Sequence, residues 1–235
     1  MARGLSLVAG GAFPARSEPA EYDRLPKGLG ERWHLPEPSS PTLSELFAAH
    51  PRDGGWTGFL LAQLDASKPL LWVQERMAIL ESGRIHPPGL PMGDLLHVEA
   101  RDAKDALWAM EEGLRCSALS CVIGEIWGDP KALDFTATRR LAVASERSGV
   151  AAFLIRLGGH ANLSGSRMRW RIASAPSLIN DLDPRASGAP AWDAELFRAR
   201  GSPPGRWSVA HDSDRFHLVA GARDRTMGEE HRLRA

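Results

Sequence analysis

The sequence predicts an α/β protein on a mostly parallel sheet, with an antiparallel extension at its C-terminal end. Two observations carry this. Between Thr42 and Leu157, short continuous apolar runs alternate with amphipathic helical stretches, the pattern of strands buried on both faces and joined by right-handed crossovers. After Leu157 the pattern switches to strict alternation of apolar and polar residues, which marks strands with one covered and one open face.

Composition agrees with a globular domain. The chain has 235 residues, 25% charged and 43% hydrophobic, enough to bury roughly 70% of its unfolded surface. The formal net charge is zero, so contact with nucleic acid has to come from a local patch. No apolar run approaches the roughly 20 residues that span a bilayer, and membrane contact is not expected. Glycines interrupt the N-terminal "MARGLSLVAGGAF", which does not read as a signal peptide. Cys116 and Cys121 flank a helix-to-strand junction and read as reduced, buried thiols of a cytoplasmic protein. No His/Cys spacing of the zinc type is present, and neither a metal nor a cofactor is expected.

The elements follow in order. Residues 1–41 carry six prolines and read as an irregular leader. A domain is expected over 42–220 and a disordered polar tail over 221–235. "TLSELFAAH" (Thr42 to His50) is the first strand, followed by a glycine loop and a helix over 54–66. "PLLWVQ" (Pro69 to Gln74) and "LLHVEA" (Leu95 to Ala100) are buried strands. Asp102 caps a helix whose inner face is Ala103, Leu107, Met110 and Leu114. Trp108 lies off that stripe, as a packing residue or an interface anchor. "LSCVIGEI" (Leu119 to Ile126) is the next strand. Asp129 and Pro130 are expected to open the following helix, and Gly149 to close it before "VAAFLIRL" (Val150 to Leu157). "GRWSVAHD" and "DRFHLVA" alternate around a polar turn and predict a hairpin.

Two stretches carry candidate chemistry. "HPRDGGWTGF" occupies the place of a phosphate-binding loop between strand and helix. A working loop ends in Gly-Lys-Ser/Thr, with backbone N–H groups cradling phosphates that the lysine neutralises. Here Asp53, Gly54, Gly55 and Thr57 remain, no lysine precedes Thr57, and Asp53 adds negative charge. The loop reads as a decayed phosphate site. The second stretch is "RMRWRIAS", with Met168, Trp170 and Ile172 on one face and Arg167, Arg169 and Arg171 on the other. That face is either a solvated strand or a docking surface for phosphate or an acidic partner, extended by Arg156. On this alternation Arg169 and Arg171 point outward, and reversing both charges should leave the fold intact.

The runs "LWAMEE", "GEIWGDP" and "TATRRLA", within a stretch from about Leu43 to Val209, resemble the ImuA family of alphaproteobacteria. These are RecA-like proteins of a damage-inducible mutagenesis cassette. The resemblance implies a RecA-like three-layer core. It places Glu125 ("CVIGEIW") where related ATPases hold magnesium with an aspartate, and Glu75 ("LWVQERM") near the position of a water-orienting glutamate. With the lysine gone, both are expected to be vestigial strand-end residues that face solvent or cap a helix. The implied role is a non-catalytic accessory protein of translesion synthesis. Its implied partners are an ImuB-like inactive Y-family polymerase homologue, an error-prone DNA polymerase III alpha subunit, RecA, and DNA through the complex. Two other readings stay open: an ATPase in which Arg52 or a partner's arginine replaces the lysine, and a cell-division inhibitor of the damage response. Between Leu157 and Arg167, where RecA carries a DNA-contacting loop, this chain has only "GGHANLSGS".

Overall fold

The computed structural model describes residues 34–64, 68–87, 94–180, 182–183, 185–212 and 215–219. Most of the expected leader and the whole tail over 221–235 lie outside the described residues. The strands expected from apolar runs form where expected: β1 (Leu43–Ala48), β2 (Leu70–Glu75), β3 (Leu95–Ala100), β4 (Cys121–Trp127) and β5 (Ala151–Leu157). The alternating region supplies β6 (Met168–Ala175), β7 (Ala191–Ala199), β8 (Gly205–Asp212) and β9 (Arg215–Leu218). One sheet holds all nine, in the order β3-β2-β4-β5-β1-β6-β7-β8-β9. The six strands from β3 to β6 are parallel neighbours, and β7, β8 and β9 continue the sheet antiparallel.

Among the described residues four helices cover the two faces: α1 (Gly55–Leu61), α2 (Arg76–Ser82), α3 (Ala103–Gly113) and α4 (Phe135–Ser148). On one face, Phe59 and Leu60 of α1 and Ala78 of α2 pack with Leu46, Trp72, Trp170, Ile172, Trp192 and Leu196. On the other, Leu107 and Met110 of α3 and Leu141 of α4 pack with Leu43, Val73, Val122, Ala152 and Leu154. This is the expected three-layer α/β core, mostly parallel with an antiparallel extension. Side-chain parity along each strand assigns its residues to one layer or the other.

Three local expectations are corrected. Helix α1 ends at Leu61, short of residue 66. Helix α2 was not foreseen because it spans seven residues and buries only Ala78, too little to produce a periodic signal. The helix expected to open at Asp129 and Pro130 starts at Phe135, capped by Asp134, whose carboxylate accepts from the Ala137 N–H at 2.7 Å. Residues 130–133 instead form a turn closed by Leu133 N–H to Pro130 C=O, which frees Asp129 for the contacts below. Asp102 and Gly149 act as expected, Gly149 in the left-handed region at φ 75°. Cys121 is buried, but Cys116 is exposed. Among the described residues no helix is long and apolar enough to cross a membrane.

Candidate functional site

The parallel strands all end at one edge of the sheet, where the loops after β1, β4 and β5 gather the sequence-predicted residues. A cavity of about 240 Å³ opens there, lined among others by Asp53, Gly54, Trp56, Thr57, Trp72 and Glu125. This is the position where a parallel α/β sheet commonly takes its ligand.

Its chemistry is the reverse of a phosphate site. The residue before Thr57 is Trp56. It is 5% exposed and packs against the fully buried Trp72, their ring centroids 6.2 Å apart. An apolar ring therefore occupies the slot where a working loop needs an ammonium group. The Asp53 carboxylate accepts from the Gly55 N–H at 2.9 Å, and from the Ser174 N–H at 2.9 Å and hydroxyl at 2.5 Å. Partial burial works against its ionisation, yet these hydrogen bonds hold the carboxyl below the usual carboxylate range. An internal anion thus takes a backbone donor of the loop and ties the start of α1 to β6. Arg52 turns to Glu81 at 3.2 Å, on the surface.

Neither Glu75 nor Glu125 faces solvent, and Glu75 stands at the N-cap position of α2, the other role expected of it. Glu125 is 2% exposed and accepts from the Trp72 indole N–H at 2.5 Å and the Gln74 amide at 3.1 Å. Burial raises its carboxyl to about 7, against the pull of those two hydrogen bonds. Gln74 also donates to the Gly83 C=O and accepts from the Ile85 N–H, so the network fastens β4 to β2 and to the turn after α2. Glu75, also buried, accepts from the Trp127 N–H at 2.9 Å. Burial raises its carboxyl as well, with that bond opposing. Each glutamate crosslinks strand ends because its oxygens find donors on the neighbouring strand.

The arginine face is corrected more sharply. Arg167, Arg169 and Arg171 do lie opposite Met168, Trp170 and Ile172, but the face is not a solvated row. Arg156 and Arg169 are each 4% exposed, and between them sits Glu45, fully buried. Arg169 binds Glu45 at 2.6 Å and Arg156 lies 3.7 Å from it. Arg156 also binds Asp129 at 2.5 Å. Phe47 lies under both guanidiniums, 5.4 Å from Arg156 and 5.2 Å from Arg169. Arg167 pairs with Glu146 at 2.7 Å, and Arg171 pairs with Glu195, which also holds Arg206. Alternation gave the right face, but β1 and β7 place acids and aromatics on that same face.

Two residues of this cluster escaped the sequence reading. Glu45 stands in "LSELFA" as the sole charge of an otherwise apolar-rich strand, and such an isolated acid was the available signal for a buried ion pair. Asp129 receives the His160 N–H, the His160 ring at 2.6 Å and the Asn162 amide at 3.3 Å. Burial opposes its ionisation, but the His160 bonds and the Arg156 charge keep the carboxyl below its usual range. The short loop after β5 is thereby clasped to β4.

No family model matches the sequence. Protein ImuA from two strains of Caulobacter vibrioides, NA1000 / CB15N and CB 15, is 33% identical to it over 166 residues. The match covers 64% of this chain and 66% of each relative, so it spans just under two thirds of their length.

Proposed function

This chain belongs to the ImuA family, and on that premise we propose that it is a non-catalytic RecA-like accessory protein of error-prone translesion DNA synthesis. It acts in the cytoplasm, within a damage-inducible mutagenesis response, through protein contacts. Its partners are an ImuB-like polymerase homologue and an error-prone DNA polymerase III alpha subunit, with RecA as a further contact and DNA reached through the complex.

One observation carries the non-catalytic part. Trp56 fills the lysine slot and packs on Trp72, whose indole in turn holds Glu125. Phosphoryl transfer requires cations gathered on the β- and γ-phosphates. The loop and strand ends bring an aromatic pair and two engaged carboxylates to this cavity, and the arginines that line it, Arg52 and Arg84, pair with Glu81 and Glu99. Both oxygens of the buried Glu125 carboxyl are taken by donors of the protein, the Trp72 indole and the Gln74 amide. Arg52, the cation of the ATPase reading, lines the cavity with its guanidinium paired to Glu81 at 3.2 Å on the surface.

Calorimetric titration with magnesium and a non-hydrolysable ATP analogue tests this. Binding no tighter than millimolar is expected, and a micromolar Kd overturns the non-catalytic reading. Co-purification with the ImuB-like partner tests the role itself. Failure of the two proteins to associate, with and without RecA and DNA, refutes it.

A further inference from the structure

Away from the strand-end cavity, a groove of about 730 Å³ runs between α3 and α4 on the opposite layer. Its floor contains Leu114, Val143 and Ala144, and its rims carry Arg115, Arg139, Arg140 and Arg147. Glu111 is the one acid that lines it; it pairs with Arg140 at 3.1 Å and lies 3.9 Å from Arg115, which also reaches Glu112 at 3.0 Å. Arg139 and Arg147 are exposed and have no ion-pair partner among the described residues. A chain of zero net charge thus concentrates four guanidiniums along one groove against two carboxylates, Glu111 and Glu112, which engage only Arg115 and Arg140.

The aromatic residues beside it add a second feature. Trp108 is 65% exposed. It lies one turn before Glu111 and two before Arg115, on the outer side of α3. Its exposure decides between the two sequence readings against packing. Phe135, at the first turn of α4, is 39% exposed. An apolar floor with aromatic neighbours and a cationic rim is the arrangement that holds an amphipathic helix by its apolar face and its flanking acids.

We propose that the α3–α4 groove is the docking surface for an acidic, amphipathic segment of another protein. This deepens the reading of the chain as a protein-contact module and rests on that reading only for the identity of the partner. The chain's own remaining segments do not complement the groove. Residues 1–33 hold five Lys/Arg against four Asp/Glu, and residues 220–235 hold four against three. The apolar floor and exposed tryptophan favour a peptide over a phosphate backbone, whose affinity rests chiefly on charge.

The test uses the full chain and a labelled synthetic helix with glutamates flanking a leucine stripe, followed by fluorescence anisotropy. Saturable binding that weakens with salt is expected. The double reversal Arg139→Glu with Arg147→Glu removes no internal ion pair and should weaken binding at least about tenfold. Val143→Glu should do the same through the floor, while Arg52→Glu, on the opposite layer, should leave binding unchanged. No binding by the parent, or equal binding by the double reversal, overturns the proposal. Competition by single-stranded DNA at equal charge also overturns it, because the site would then read phosphate. Co-purification separates this from the functional reading. An ImuB-like partner retained by a variant that has lost the peptide leaves the function standing and removes this groove from that contact. A parent that binds the peptide but never the partner refutes the function and keeps the groove.

Discussion

Replacing Arg169 by glutamate should unfold much of what the sequence suggested it would leave alone. Arg169 is 4% exposed, and its guanidinium lies 2.6 Å from a glutamate with no solvent exposure. It also stacks between Phe47 and Phe197 at 5.2 and 5.3 Å. Removing one partner of a buried pair costs about 3–5 kcal/mol, because the other charge is left without compensation. Arg156, 3.7 Å from Glu45, offsets part of that loss, but the new carboxylate would face Glu45 directly and add repulsion. A domain of this kind has about 5–15 kcal/mol of total stability, so a loss of about 3–5 kcal/mol takes at least about a fifth of it. Arg171→Glu is the control. Its side chain is 38% exposed, and a surface pair contributes about 0–1 kcal/mol. Urea titration measures both, the loss appearing as a lower midpoint at unchanged slope. The double variant Arg169→Met with Glu45→Leu should recover most of the deficit, since both charges leave the core together. An Arg169→Glu protein within about 1 kcal/mol of the parent would refute the reasoning and return this arginine to the solvent face.

The buried glutamate of the strand-end cavity gives a pH prediction. Because the Glu125 carboxyl is raised from 4.5 to about 7 in the folded state, the folded protein binds the extra proton between those values. Stability therefore falls as pH rises through that window. Glu125→Gln should remove this dependence and gain on the parent by up to about 3 kcal/mol from pH 4.5 to 8. Thermal melts across pH check it, and parallel curves for the two proteins would contradict it. Gly165→Ala should cost about 1–3 kcal/mol, because a β-carbon there would meet the Arg139 backbone at 2.6 Å. An unchanged melting temperature would show that the loop moves off α4 without penalty.

Much of the architecture was legible because each strand and long helix announces itself locally. "CVIGEIW" is apolar enough to be buried on both faces, and α3 carries its cap at Asp102 and an inner stripe from Ala103 to Met110. The missing cation of the loop was equally plain, since Trp56 stands where a lysine would. Helix α2 was not legible, as seven residues with one buried side chain leave no period to detect. Nor was the start of α4, because both Asp129 and Asp134 are sound caps by type and only the folded chain claims Asp129 for Arg156.

The sequence by itself determined the fold class, the switch from parallel to antiparallel strands, the polarity of the loop and the family. Local composition and alternation suffice for the first three, and the family rests on the resemblance of specific runs and on the match to known relatives. Only the tertiary structure decided which charges remain available to a partner. Alternation tells which face of β6 an arginine occupies, but not what β1, β5 and β7 place on that face beside it. Residues more than a hundred positions apart supply that answer. Glu45 neutralises Arg169 across the β1–β6 pairing, whereas Arg139 and Arg147 on α4 have no ion-pair partner among the described residues.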